Sequence, residues 1–212
     1  MQIINFYQMQ IFDTWREHYQ DWTLEQQVAF HNDLEAQYPE QAHFNYQAFE
    51  VALALAKLVN TQPWILEYGT WKGDLAQRAF NDHYWLGSWT GIEICTAAVA
   101  KTKCVDPRFS YVVPDRFDWF TRVREYPADL VVATHFIEHL SADHLGELII
   151  YTQGAPVVLF EAPLAEEGQD WTGYQGTHKL PLGWRQVTRL MELAGYALKH
   201  QDGDARVFTF SL

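Results

Sequence analysis

The sequence predicts an α/β protein built on a doubly wound, mainly parallel sheet. Three observations carry this. From Trp64 onward, short apolar runs of strand length alternate with amphipathic stretches of helix length. The first run ends in a turn bounded by Gly69 and Gly73. The chain closes with a helix, Gly195 and two strand-like runs around Asp202-Gly203, a hairpin signal. Strands alternating with helices form a sheet covered on both faces. A chain of 212 residues is long enough for one such domain, and 48% hydrophobic with 20% charged residues excludes a disordered chain.

The elements follow in order. Residues 1–60 read as a helical extension and a candidate lid, and residues 61–212 as the α/β domain. In the extension, Thr23-Leu24-Glu25-Gln26 is a capping box. Leu24, Val28, Leu34 and Tyr38 line one face of the helix it opens, and Pro39 stops that helix. Phe44, Ala48, Ala52, Leu55 and Val59 recur at helical spacing until Pro63. The expected strands are 64–68, 89–94, 109–113, 129–134 and 156–161. Helices are expected near 73–82, 96–103 and 141–151, the last begun by Ser141. A helix from Trp184 ends at Gly195, a natural C-cap. The last two strands are 196–200 and 206–212. Residues 162–182 carry neither period, and long loops of that kind often serve as lids or binding loops.

Composition narrows the function. Two cysteines, Cys95 and Cys104, exclude a disulfide scaffold. They read as small buried hydrophobes, with nothing adjacent to activate them. Lys and Arg number 15 against 27 Asp and Glu, a net charge of -12. An acidic chain is a poor partner for nucleic acid. The apolar Met1–Phe6 has no basic flank, and the run Pro156–Phe160 is far too short to span a bilayer. A cytoplasmic protein with no membrane partner is therefore expected.

The candidate site begins at Glu67-Tyr68-Gly69-Thr70-Trp71-Lys72-Gly73. Glycines at a strand-to-helix turn let backbone N–H groups approach a ligand closely. In open α/β sheets, ligands sit at the carboxyl ends of the strands, at the switch point beside the first strand. Glu93 lies 24 residues after Gly69, at the end of the second expected strand. A carboxylate there suits the two hydroxyls of a ribose. Asp115, after the third strand, is the next ligand candidate, although Pro114-Asp115 is equally a plain turn.

These motifs, in order, resemble the class I S-adenosylmethionine-dependent methyltransferases. The carrying residues are Glu67-x-Gly69-x-x-x-Gly73, Gly91-Ile92-Glu93, Asp129-Leu130-Val131-Val132, Glu138-His139-Leu140 and the closing helix–Gly195–hairpin. The resemblance covers residues 64–212. It implies a Rossmann-like seven-stranded sheet of order 3-2-1-4-5-7-6, with the seventh strand antiparallel. It implies S-adenosyl-L-methionine as cofactor and a small-molecule or protein side-chain acceptor. It implies that Gly69 and Gly73 border the methionine part of the cofactor, that Glu93 holds the ribose and that Asp115 and Arg116 lie near the adenine, with Glu67, Trp71, Ile94 and His135 also among the cofactor-binding residues. Trp71 stands where many members have a third glycine, so its side chain must point away from the ligand or stack on it. A nicotinamide reductase on the same architecture would want glycines at the positions of Trp71 and Asp74.

His135 falls at the mouth of the fourth strand, where the acceptor would lie. It is a candidate to contact the cofactor or to take a proton from the acceptor, or else a hydrogen-bonded cleft histidine. Glu161 ends the fifth strand and faces the same crevice. His178, in the long loop, is the third catalytic candidate. His135-Phe136-Ile137-Glu138-His139 also matches the His-x-x-Glu-His zinc hydrolase pattern. Its first residues belong to a turn after a buried strand, so no metal site is expected. A non-catalytic cofactor- or partner-binding module is the alternative to an enzyme. Aromatics make up 16% of the chain. Trp15, Trp22, Phe44, Tyr46, Phe49, Trp171, Tyr174 and Trp184 lie in the extension or around the late loop, and part of this excess is expected to line a lid and acceptor pocket.

Overall fold

The computed structural model describes residues 24–37, 44–114, 128–164, 180 and 182–210. The helices are α1 (Leu24–Gln37), α2 (Tyr46–Val59), α3 (Asp74–Asp82), α4 (Thr96–Val99), α5 (Ala142–Thr152) and α6 (Trp184–Leu193). The strands are β1 (Ile65–Tyr68), β2 (Trp89–Ile92), β3 (Phe109–Val112), β4 (Leu130–Thr134), β5 (Val157–Glu161), β6 (Tyr196–Asp202) and β7 (Ala205–Phe210). Among the described residues the strands form one seven-stranded sheet of order β3-β2-β1-β4-β5-β7-β6. The first five run parallel, and β7 is antiparallel to both β5 and β6. This is the order the resemblance implies.

Alternation along the strands sorts their side chains onto two faces. Leu66, Tyr68, Ile92, Val131, Ala133 and Phe160 pack against α5 and α6 through Leu145, Leu148, Ile149, Trp184, Val187 and Met191. Ile65, Trp89, Leu130, Val132, Leu159 and Val207 pack against α2 and α3 through Phe49, Leu53, Leu75 and Phe80. Burying a side chain of this size contributes about 1.5–3 kcal/mol. Helix α2, within the 1–60 segment, thus covers one face of the sheet. Asn45 caps it by accepting from Ala48 N–H at 3.0 Å. Phe44, Tyr46 and Phe49 belong to this packing, with Phe49 and Trp89 ring centroids 5.7 Å apart. Trp184 is buried beneath the Arg206 guanidinium, 4.6 Å from its ring. Trp15, Trp22, Trp171 and Tyr174 lie outside the described residues, as do Asp115, Arg116, His178 and the Thr23 of the capping box.

Two elements, β2 and α4, are shorter than the sequence pattern predicts by more than one residue. β2 stops at Ile92, although Glu93 N–H still reaches Val112 O at 3.1 Å. Its side chain is drawn back toward β1 instead of continuing the ladder. α4 spans only Thr96–Val99 because the following residues bend toward the glycine turn. There Lys103 N–H donates to Lys72 O at 2.8 Å and the Thr102 hydroxyl donates to the same oxygen at 3.3 Å.

Gly91 is the tightest point of the parallel core. A Cβ there would sit 2.4 Å from Thr70 Cγ2 and 2.9 Å from its Cβ. Gly91→Ala should therefore lower stability by about 1–3 kcal/mol through overpacking. The measurement is the urea midpoint at unchanged m. Adding Thr70→Ser, which removes the nearest methyl, should recover part of the loss.

Candidate functional site

The site is assembled at the carboxyl ends of β1, β2 and β4. After Tyr68 the chain turns through Gly69 (φ 70), Trp71 (φ 50) and Gly73 (φ 73). The turn is anchored on β2, where Ile92 O accepts from Gly69 N–H at 2.9 Å. A left-handed backbone costs a residue such as tryptophan roughly 1–2 kcal/mol. Trp71 thus adopts a glycine-like conformation despite its side chain. Its indole Nε1 is buried with no hydrogen-bond partner among the described residues.

Glu93 compensates that strain. One carboxylate oxygen accepts from Trp71 N–H at 2.8 Å and the other from Cys95 N–H at 2.7 Å. Burial pushes its pKa up to about 7 even though these N–H groups pull it down. Glu67 lies beneath the turn. Its Oε2 accepts from Thr70 Oγ1 at 2.5 Å and from Trp89 Nε1 at 3.0 Å. Burial pushes this carboxyl up to about 7 as well. Glu67 thus braces the turn from the core side, while Glu93 stands at the edge of the crevice. Ile94 is buried in the cluster that holds Leu66 and Tyr68.

The second half of the site follows β4. His135 is also left-handed (φ 49), and its N–H donates to Glu161 O at 2.7 Å. The 3-10 turn at Ile137–His139 then returns Glu138 toward it. His135 Nδ1 is 3.5 Å from Glu138 Oε1, and its Nε2 is 4.0 Å from Glu161 Oε1. The His139 Nε2 lies 3.8 Å from the same Glu138 oxygen. The Glu138 side chain is 1% exposed and that of His135 42%, so a buried anion supports an accessible imidazole. Contact with Glu138 raises the His135 pKa against the opposing effect of burial. Burial pushes the Glu138 carboxyl up, but the His139 and His135 rings bring it below its usual value. The inverted zinc pattern needs both histidines on one α-helical face. Here His135 precedes the turn, and no group of three His, Cys, Asp or Glu side chains among the described residues is placed to hold a metal.

Glu161 also ties elements of the fold together. Its two oxygens accept from Asn45 N–H at 2.9 and 2.8 Å, and the Asn45 side chain donates to Asp202 Oδ2 at 3.0 Å. The start of α2 is thereby tied to β5 and to the β6–β7 hairpin. Burial raises the Glu161 carboxyl, the Asn45 N–H notwithstanding. Asp129 lies at the opposite end of β4, where it accepts from Asn60 Nδ2 and Trp64 N–H. Burial pushes the Cys95 thiol up to about 11, which makes it a poor nucleophile.

The polar groups by which helix α1 joins this site were not legible. Glu35, fully buried, lies 2.9 Å from Lys72 Nζ in the glycine turn and 3.1 Å from Lys101 Nζ. Asn32 Oδ1 accepts from Ala97 N–H at 2.9 Å, and the His31 ring meets the edge of His139 at 6.5 Å. Burial, and then His139, push the His31 pKa down to about 3. The apolar period of α1 says nothing of these polar groups. Only Asn45, set directly before an apolar helical run, carried a recognisable signal, that of an N-cap.

No protein-family model and no curated protein matches the sequence. Solved structures do. Magnesium protoporphyrin IX methyltransferase from Synechocystis PCC 6803, with bound SAH, matches at TM-score 0.58 and 10% identity, over 96% of this chain and 99% of that one. A SAM-dependent methyltransferase from Archaeoglobus fulgidus matches at TM-score 0.52 and 17% identity, over 77% and 73%. A structure from Nostoc punctiforme PCC 73102, described as an O-methyltransferase, matches at TM-score 0.54 and 13% identity; 76% of this chain spans 56% of its length. At these identities the likeness is one of fold, and the fold is that of the class I methyltransferases.

The two raised carboxyls imply a specific pH dependence. Their folded pKa of about 7 exceeds the ordinary 4.5, so the folded state holds the extra protons. The stability they confer is full below the ordinary value and is lost as pH rises through about 7. Glu67→Gln, which keeps an acceptor for Thr70 and Trp89, should flatten the fall in urea midpoint between pH 5 and 8. Glu67→Ala should instead cost about 1–3 kcal/mol at pH 5 by stranding the Trp89 N–H.

Proposed function

We propose that the protein transfers the methyl group of S-adenosyl-L-methionine to a small-molecule acceptor by in-line displacement. The observation that carries this reading is the convergence, at the ends of β1, β2 and β4, of the glycine turn, the Glu93 carboxylate and His135. The fold supports it, as does the net charge of -12, which disfavours a nucleic acid acceptor. The residues present fit the cofactor. The turn from Gly69 through Trp71 to Gly73 would hold the methionine part, with Glu67 bracing it from below. Glu93 would accept from the ribose hydroxyls, each of its oxygens having a second lone pair beyond its backbone bond. Ile94 would line the cofactor site beside Glu93, and Asp115 and Arg116 would lie near the adenine. The buried, unpartnered indole N–H of Trp71 is a donor suited to a ligand acceptor.

The cofactor, when bound, supplies an electrophilic methyl on a good leaving group. What the chain must add is chiefly alignment of the acceptor. His135 is placed to take a proton from an acceptor that carries one, with Glu138 orienting its ring and stabilising the imidazolium. Glu161 supports His135 through its backbone carbonyl and positions Asn45; His178 is a further candidate for acceptor contact. Residues 1–60 extend the 61–212 domain, and the protein acts in the cytoplasm. A second reading, a binding module without turnover, draws on Trp71 at a glycine position; product formed from any acceptor in a substrate screen excludes it.

Calorimetry with S-adenosylmethionine and S-adenosylhomocysteine tests the reading, and absence of binding by either at high concentration ends it. Glu93→Ala should weaken binding by about 1.5–3 kcal/mol, the worth of hydrogen bonds to a charged group. Because the free Glu93 carboxyl titrates near 7, wild-type affinity should rise from pH 6 to 8 as the stronger acceptor forms, and Glu93→Gln should abolish that rise. Once an acceptor is found, Glu138→Gln should move the midpoint of the His135-dependent rise in rate to lower pH, since it removes the charge that raises the His135 pKa.

A further inference from the structure

His135 stands between carboxylates on both sides of its ring. Its Nδ1 faces Glu138 Oε1 at 3.5 Å and its Nε2 faces Glu161 Oε1 at 4.0 Å. Asp204, on the turn between β6 and β7, adds a third negative charge that acts on both His135 and Glu161. The Glu138 side chain is buried, and its Oε2 has no hydrogen-bond partner among the described residues. The Arg206 guanidinium lies on the other face of the sheet from Glu161, because Arg206 pairs in register with Phe160 and Glu161 with Ala205. There it bonds Gly203 O and Ala205 O and stacks on Trp184.

The gap between His135 Nε2 and Glu161 Oε1 asks for a particular kind of group. Glu138 draws the ring proton to Nδ1, which leaves the Nε2 lone pair as an acceptor. Glu161 Oε1 is an acceptor as well, with a lone pair beyond the one that takes Asn45 N–H. Two acceptors 4.0 Å apart are bridged by one atom about 2.8 Å from each, provided that it carries two hydrogens. A hydroxyl or a thiol carries one, and would turn a lone pair toward the second acceptor. A carboxylate or a phenolate carries none, and would bring a like charge up to Glu138, Glu161 and Asp204. A primary or secondary amine, as its ammonium ion, has two or more N–H groups and the opposite charge.

We propose that the methyl acceptor is a primary or secondary amine, bound as its ammonium ion between His135 Nε2 and Glu161 Oε1, and that the reaction is N-methylation. The proposal rests on the methyltransferase reading above. His135 Nε2 takes one proton from the ammonium, while Glu161 Oε1 keeps hold of another N–H. The freed lone pair forms the N–C bond, the S–C bond breaks, and its electron pair stays on sulfur. His135 then returns its proton to water. Positive charge passes in this step from the sulfonium to the nitrogen, toward the acids at the ends of β4 and β5. Those carboxylates stabilise the transition state more than the ground state, which is the condition for accelerating the step.

Two measurements on the full chain test this. The first is binding, by calorimetry with S-adenosylhomocysteine saturating. A panel of primary amines, benzylamine and hexylamine among them, is compared with the alcohols of the same carbon skeletons. The amines should bind about ten-fold tighter or more, the effect of hydrogen bonds between charged groups. Glu161→Gln should remove most of that preference. Asp204→Asn, on an exposed turn, should lower it by about two- to five-fold and decides where Glu161→Gln does not fold. Amines that bind no better than their alcohols overturn the proposal, as does a preference that neither variant reduces. The second is turnover of the same panel and the matching thiols with S-adenosylmethionine, read by product mass. Methylation should occur on nitrogen and stop at the tertiary amine, whose ammonium ion has a single N–H. Turnover of an alcohol or thiol but of no amine, or a quaternary product, overturns the assignment. Where no member is turned over, the binding result decides. A wild type that binds neither S-adenosylmethionine nor S-adenosylhomocysteine ends the functional reading itself; one that binds them without preferring amines ends only this inference.

Discussion

The site depends on one buried carboxylate bond. Glu67 accepts from Thr70 and from Trp89 with the same oxygen, so β1, its following turn and β2 are joined at a single point. The constraint propagates outward. Thr70 must stand over Gly91, which leaves no room for a side chain on β2. The turn beyond Thr70 is then fixed with Trp71 in a left-handed conformation, and its N–H is delivered to Glu93. Lys72 follows, directed away from the sheet toward Glu35. A chain of hydrogen bonds thus runs from the core, through the glycine turn, to the helix above it.

The β4 end is organised on a related principle, a buried anion serving exposed or half-exposed groups. Glu138 is shared by His135 and His139, and Glu161 is divided between its backbone, which supports His135, and its side chain, which holds Asn45. The two halves of the site are held differently. The β1–β2 half is tied into the sheet by backbone and indole donors. The β4 half hangs on ion pairs at 3.5–4.0 Å whose strength follows protonation. A cofactor subsite wants the former and an acceptor-facing proton carrier the latter, so the division matches the proposed roles.

Much of this was legible before the fold was seen. Alternating periods identified the strands, and the run of turn glycines located the switch point. The Asp202-Gly203 signal reversed the last strand. Glu93 could be singled out by its distance from Gly69. Other features were beyond that reading. Glu67 stood out as a residue at a strand end, but its bonds to Thr70 and Trp89 beneath the turn depend on strand alternation and on β2 lying beside β1. The aromatics Phe44, Tyr46 and Phe49 suggested a pocket lining. In the structure Phe49 is buried between α2 and the sheet, with Phe44 and Tyr46 packed at the margin of that cluster.

The sequence by itself determined the strand order's ingredients, the position of the turn and the identity of the acids around it, because these are set by local periodicity and by residues a few positions apart. Only the tertiary structure decided what those acids do. Contacts such as Glu35 with Lys72, Glu161 with Asn45 and Glu138 with two histidines join groups whose pairing depends on which strand lies beside which and how deeply each carboxylate is buried. No period records burial of a charge, since hydrophobic patterning marks where water is excluded by apolar groups and leaves no trace where it is excluded from a paired polar one.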